Sequence, residues 1–92
     1  MVNFTIMREK RFGGGAQNHN VFLDNVFVGT LSNGGVLRFS SDISGTHTLT
    51  FKPTLKTFLK ESYFTFTVNG ENDNIALKTY ISFGGDYKIE YL

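Results

Sequence analysis

Residues 24–35 read DNVFVGTLSNGG, and this stretch decides the fold of the 92-residue chain. A short aromatic and β-branched run lies between the dipeptides Asp24-Asn25 and Asn33-Gly34. Asn tolerates a positive φ and Gly adopts it freely, so the backbone can reverse at both ends of the run. The segment therefore predicts one strand over residues 26–31 with a turn on each side.

Similar short runs recur along the whole chain at intervals of about ten residues, a spacing typical of all-β domains. Each run alternates apolar with polar residues or is dense in Phe, Tyr, Val, Ile and Thr, which favours strands over helices. The runs that predict strands cover residues 2–10, 19–23, 26–31, 36–39, 46–51, 62–68, 75–83 and 87–91.

These runs predict an all-β fold of seven or eight short strands, either an antiparallel β-sandwich or a barrel, and we favour the sandwich. We expect the strands that begin at His19, Val26 and Val36 to form a meander, because a turn signal separates each from the next.

One segment is ambiguous. Pro53 cannot donate a ladder hydrogen bond, so strand pairing should stop there or continue only at an edge. Leu55, Phe58 and Leu59 then follow a helical spacing. A short helical turn near residues 54–60 and an irregular crossover both fit this pattern, and we favour the crossover.

Composition limits the classes of protein to which the chain can belong. Ninety-two residues without a Pro-rich or Ser-rich linker predict a single domain, residues 1–92. Cysteine is absent, which excludes disulfides and thiolate chemistry. Nine basic and eight acidic residues give a net charge of +1, which argues against nucleic acid as a partner.

The same chain gives little indication of a membrane or of export. No apolar run approaches the roughly 20 residues that span a bilayer. The first residues alternate in polarity and do not form the apolar block of a signal peptide. We therefore take the cytoplasm as the default compartment.

Two histidines are the candidates for metal binding or acid–base chemistry. A metal site would require His19 and His47 to converge with carboxylates such as Asp24 or Asp42, and their spacing matches no established ligand pattern. His47 lies on the apolar face of its strand, where we expect its ring to hydrogen-bond a loop carbonyl.

Two loops contain residues of functional interest but lack the rest of a functional motif. The Gly13-Gly14-Gly15 loop has no following Lys-Ser or Lys-Thr, so it does not predict a phosphate site. The polar segment at residues 71–74 lacks the spacing of a calcium loop. No nucleophile with an adjacent base is evident either. We therefore predict a protein that is not an enzyme and holds no cofactor or metal.

Residues 21–49 resemble small bacterial β-sandwich domains of the PEGA-like kind. The matching elements are Val21–Asn25, Gly29, Asn33-Gly34, Val36–Phe39 and Gly45–Leu49, where the last element contains the Gly-x-His pattern. The resemblance implies a β-sandwich and an accessory or surface-interaction role. It implies no shared catalytic residues.

Two functional hypotheses follow from the aromatic content. The surplus of aromatic and β-branched residues, with few edge-protecting ones, indicates a non-catalytic interaction or structural module that self-associates or joins a larger assembly. The alternative is a module that binds a glycan or single-stranded nucleic acid through four exposed tyrosines, because a Tyr ring stacks while its hydroxyl stays hydrated. These tyrosines are Tyr63, Tyr80, Tyr87 and Tyr91.

Overall fold

The computed structural model describes residues 1–10, 18–54, 61–69, 73–82 and 86–92, which form eight strands in two four-stranded sheets. The strands are β1 (Val2–Arg8), β2 (His19–Leu23), β3 (Val26–Leu31), β4 (Val36–Ser41), β5 (Gly45–Pro53), β6 (Ser62–Val68), β7 (Asn74–Ile81) and β8 (Tyr87–Tyr91). The predicted all-β sandwich is confirmed. The segment at 55–60, where the sequence leaves a helical turn or a crossover open, lies outside the described residues, as do Gly13–Gly15.

The first sheet has the strand order β4-β1-β7-β8, and the second sheet has the order β3-β2-β5-β6. Among the described strands, five of the six pairings are antiparallel. The exception is the parallel pair of β1 and β7, in which Phe4 lies opposite Ile75. Parallel neighbours need a long connection, and here most of the chain lies between them. The first sheet is therefore mixed.

The turn predicted at Asp24-Asn25 joins β2 and β3 as a two-residue hairpin. Both residues have positive φ, at 47° and 69°, and Leu23 pairs with Val26 across the turn. Two consecutive positive φ values match the right-handed twist of the flanking strands. This hairpin is set by the local sequence.

The predicted meander of β2, β3 and β4 is wrong. β3 pairs with β2 in the second sheet, whereas β4 pairs with β1 in the first. The turn between them, where Gly35 N–H donates to the Ser32 carbonyl (2.8 Å), carries the chain from one sheet to the other. An Asn-Gly turn signal is the same for a hairpin and for a turn that carries the chain to another sheet. The sequence alone therefore does not distinguish between these two connections.

Inward-facing residues of both sheets form one core. Phe4 of the first sheet stacks on Phe39 (ring centroids 4.5 Å apart) and meets Phe66 of the second sheet edge to face (5.6 Å). Such geometries stabilise aromatic pairs beyond their burial. The buried apolar residues that form this cluster are Val2, Phe4, Ile6, Val21, Leu23, Leu31, Leu49, Phe51, Phe66, Val68, Ile75 and Leu77.

In the part of the chain that the structure describes, no helix has the length and apolar character needed to cross a membrane.

Candidate interaction site

The four tyrosines of the predicted ligand surface lie in different places. Tyr63 is on the outer face of the second sheet, opposite Thr50 in register, and is 64% exposed. Tyr80 is on the outer face of the first sheet. Tyr87 and Tyr91 are on the inward-facing side of β8, paired with Ile81 and Leu77. The four rings therefore do not form one stacking surface, because β6 belongs to one sheet and β7 and β8 to the other.

Three of these tyrosines are held by local contacts. The Tyr80 hydroxyl donates to Glu90 Oε1 (2.8 Å), and the Tyr63 hydroxyl donates to Glu61 Oε2 (2.7 Å). Tyr87 donates to Thr79 Oγ1 (2.7 Å) and packs inside the sandwich, where burial raises the pKa of its hydroxyl.

Tyr87 belongs to a polar cluster inside the sandwich, formed by Arg8, His19, Thr79 and Tyr87. Arg8 is 3% exposed, and its Nη1 donates to the Leu31 carbonyl (3.2 Å). Burial lowers the pKa of this guanidinium. Arg8 shares its parity along β1 with Val2, Phe4 and Ile6, so the alternation of the strand could have identified it as an inward residue.

His19 is 1% exposed and stacks on the Tyr87 ring, with ring centroids 4.3 Å apart. Neither of its ring nitrogens has a hydrogen-bond partner among the described residues. Burial, with a smaller contribution from the Arg8 charge, lowers the pKa of His19 to about 4. The ring is therefore neutral at neutral pH.

His47 lies in a different environment and makes the loop-carbonyl contact that the sequence predicts. Its Nε2 donates to the Ser44 carbonyl (2.7 Å), and its Nδ1 donates to the Asp24 carboxylate. Asp24 also accepts the Thr48 N–H (3.0 Å). Because both ring nitrogens face acceptors, the arrangement suits the doubly protonated imidazolium.

These contacts shift the pKa values of both residues toward their charged forms. The Asp24 hydrogen bond, followed by that of Ser44, raises the pKa of His47. The Thr48 N–H, followed by the His47 hydrogen bond, lowers the pKa of Asp24. The contacts join the β2–β3 turn to the beginning of β5, which is a structural role.

The two histidines do not converge. His19 pairs with Pro53 at one end of β5, and His47 lies six residues earlier on that strand. At about 3.4 Å per residue, roughly 20 Å separate them. Within the described ranges, no group of three or more His, Cys, Asp or Glu side chains could hold a metal ion.

The feature that stands out as an interaction site is the edge of the second sheet formed by β6. This strand, SYFTFTV, contains no charge and no proline, and it pairs with β5 from Phe51–Ser62 to Gly45–Val68 without a register shift. No other described strand pairs with its free side. As far as the described residues go, the backbone groups on that side have no strand partner and form the kind of edge with which another strand can pair.

The other three edges carry features that oppose pairing. The β2–β3 ladder shifts register between Val21 and Phe22, a bulge that distorts the β3 edge. β4 carries Arg38, and β8 carries Lys88 and Glu90. Bulges and charges of this kind are how sheet proteins avoid unwanted edge pairing.

The side chains of β6 divide into two faces. Thr65 and Thr67 face outward, each within hydrogen-bond distance of a threonine hydroxyl on β5 (3.1 and 3.0 Å). Phe64 faces inward, is only partly buried, and meets the Tyr91 ring edge to face (5.2 Å). Exposed aromatic area therefore lies directly beside the free edge of β6.

Sequence reasoning located β6 with the correct bounds but did not identify it as an edge. The strand order depends on which strands pair, and this is not encoded in the alternation of any one strand.

No family model, no curated protein and no solved structure matches this chain. The function is therefore argued from the geometry.

Proposed function

We propose that the protein is a non-catalytic structural module that self-associates by pairing β6 with β6 of a second copy. The observation that carries the proposal is the seven-residue, uncharged, regularly paired edge strand Ser62–Val68. An exposed strand of this kind is a template for adding another strand.

A symmetric dimer requires β6 to pair with its own copy in antiparallel orientation. The register that pairs all seven residues is centred on Thr65, which then lies opposite its own counterpart. Phe64 lies opposite Phe66, and Tyr63 lies opposite Thr67. The result is one continuous eight-stranded sheet across two copies.

The side chains of β6 are compatible with this self-pairing. Because the strand is uncharged, no like charges meet across the two-fold axis. The rings of Phe64 on β6 and Tyr91 on β8 are in contact and partly exposed beside this edge. The second copy would cover both rings. Aromatic and threonine pairs contribute about 0.2–1 kcal/mol each across strands.

We expect a weak and reversible dimer, because one added strand pair buries less surface than a standard protein interface. A dissociation constant between roughly 1 μM and 1 mM corresponds to about −8 to −4 kcal/mol.

Sedimentation equilibrium of the wild type and of Thr65→Lys tests the proposal. The lysine would lie directly opposite its own copy, and like charges in that position destabilise strand pairing. The matched control is Thr30→Lys, which changes an exposed threonine on the outer face of the same sheet but on the opposite edge strand, β3. Thr30 also makes one cross-strand hydroxyl bond, to Asn20 Oδ1 (2.8 Å).

We expect Thr65→Lys to weaken dimerisation at least about tenfold, a loss of about 1.4 kcal/mol, and Thr30→Lys to leave it unchanged. An equimolar mixture of Thr65→Lys and Thr65→Glu should dimerise again, because opposite charges then meet at the centre of the pair. A wild type that stays monomeric up to about 1 mM, or equal effects of the two lysines, contradicts the proposal.

A further inference from the structure

An apolar pocket opens between the edge strands β3 and β4, on the side of the sandwich away from β6. It has a volume of about 270 Å³. Its apolar walls include Val26, Val28, Phe39 and Ile43, and its polar groups include Asp24 and Ser41. The walls come from both sheets, so the pocket is a gap between the layers of the sandwich.

The gap results from the way the chain crosses between the sheets. β3 and β4 lie close together near the turn that joins them, where Leu37 packs directly on Gly29. The two strands belong to different sheets, and farther from the turn Val26 and Val28 line the space between them. Val26 remains 66% exposed. Layers about 10 Å apart need larger side chains to fill them, so a space remains.

The size of the pocket limits its ligand. An apolar cavity of about 150 Å³ is large enough to hold benzene, so 270 Å³ accommodates two fused rings. Apolar walls with a few polar groups are typical of small-molecule sites.

Charge limits the ligand further. Asp24 lines the pocket, and its carboxylate is already bonded to the Thr48 N–H and to His47. The apolar walls disfavour a charged ligand, because a buried charge loses its hydration there. Ser41 is paired with the buried Val2, which places it on the inward-facing side of β4, and its hydroxyl is the polar group that such a ligand would meet.

We infer that this pocket binds an uncharged aromatic molecule of one or two fused rings. The site is independent of the proposed self-association, because it lies between β3 and β4, whereas the dimer uses β6 at the opposite edge of the second sheet. Either proposal can therefore fail without the other.

A titration followed by two-dimensional NMR of backbone amides tests this site with indole and with indole-3-acetate. We expect indole to shift saturably the amides of residues 23–28 and 39–43. The anionic indole-3-acetate should bind at least about tenfold more weakly, because the apolar walls disfavour its charge. No saturable shift with indole, shifts centred on β6, or equal binding of the two compounds would overturn the inference.

A matched pair of variants locates the site. Val28→Phe fills the pocket and should weaken indole binding at least about tenfold. Val36→Phe makes the same change at an exposed valine of β4 that does not line the pocket, so it should leave binding unchanged. Equal binding to both variants would remove the pocket as the site.

Two further measurements distinguish loss of binding from loss of the fold, and ligand binding from a contact between copies. The amide spectrum of Val28→Phe reports whether the variant is folded; if it is not, Ser41→Ala replaces it and should weaken indole binding with the fold intact. Shifts at residues 23–28 that depend on protein concentration without indole would assign the pocket to a contact between copies and overturn the small-molecule assignment.

Discussion

At the scale of single residues, the two histidines show that the surroundings of a ring decide the direction in which its pKa shifts. The pKa of His19 is lowered, and that of His47 is raised. His19 is enclosed beside Arg8 and Tyr87 with no acceptor among the described residues, so its neutral form is favoured. His47 lies between a carboxylate and a carbonyl, so its charged form is favoured. The strand alternation predicted the inward parity of His47, but the groups that set the charge of each ring come from other parts of the chain.

Acidification should destabilise the fold through His19. Its folded pKa of about 4 lies below the unfolded value of 6.5, so the unfolded chain binds more protons between these values. The free energy of unfolding should fall as the pH drops from 6.5 to 4, by up to about 3 kcal/mol from this residue. Urea denaturation at pH 7 and pH 4.5 measures the loss.

His19→Phe is the control for this prediction, because it keeps a ring against Tyr87 and removes the titration. The variant should lose less stability than the wild type over the same pH range. Equal losses in the two proteins would show that His19 is not the titrating group.

His47 should behave in the opposite way. Its raised pKa means that its contribution to stability is present below pH 6.5 and is lost as the pH rises through the folded pKa. The lowered pKa of Asp24 adds a contribution that is present above 3.8 and is lost as the pH falls. The pair therefore stabilises the turn best in the interval between the two titrations.

Asp24→Asn should lower the pKa of His47 toward its ordinary value, because the largest cause of the upward shift is removed. An NMR titration of the imidazole signals of both histidines measures this change, with His19 as the internal reference. An unchanged His47 pKa in the variant would mean that the Asp24 contact does not control it.

At the scale of strands, the sequence was most informative about where each strand lies. The predicted bounds of β2, β3, β6 and β8 agree with the structure because turn residues and alternating side chains act locally. Pairing partners were less predictable. The strand after Gly35 joins the other sheet, and the position of β6 at an edge depends on the order of all strands in its sheet. The β6 edge could therefore be identified as a candidate interaction site only from the folded structure.

The crossing of β3 and β4 depends on a glycine. A Cβ at Gly29 would lie 2.5 Å from Leu37 Cδ1, closer than real contacts allow, and Gly29 has a φ of 156°. Gly29→Ala should therefore lower the free energy of unfolding by about 1–3 kcal/mol, which chemical denaturation measures.

Gly45→Ala is the control for the part of the stability loss that comes from the clash between the new Cβ and Leu37. Gly45 also has a positive φ, of 80°, but a Cβ there meets nothing within 4 Å. The Gly45 variant should lose less stability than the Gly29 variant. An equal loss would mean that contact with Leu37 does not restrict position 29.

At the scale of the whole molecule, the described strands give the sandwich two opposite sides of different character. One side presents the uncharged β6 edge with Phe64 and Tyr91 beside it, and the other presents the pocket between β3 and β4. The overall class of fold was evident from the sequence because a small chain rich in phenylalanine and turn residues has few other ways to bury its rings. The positions of this edge and this pocket on opposite sides were not evident, because they follow from the route of the chain between the sheets.

The parallel pair of β1 and β7 has a consequence for the order in which the molecule is made. β1 is synthesised about seventy residues before β7, which is one of its two neighbours in the first sheet. The second sheet needs only residues up to Val68 and can begin to assemble earlier. Contacts of such large sequence separation slow folding, so the first sheet cannot be completed until β7 has been synthesised.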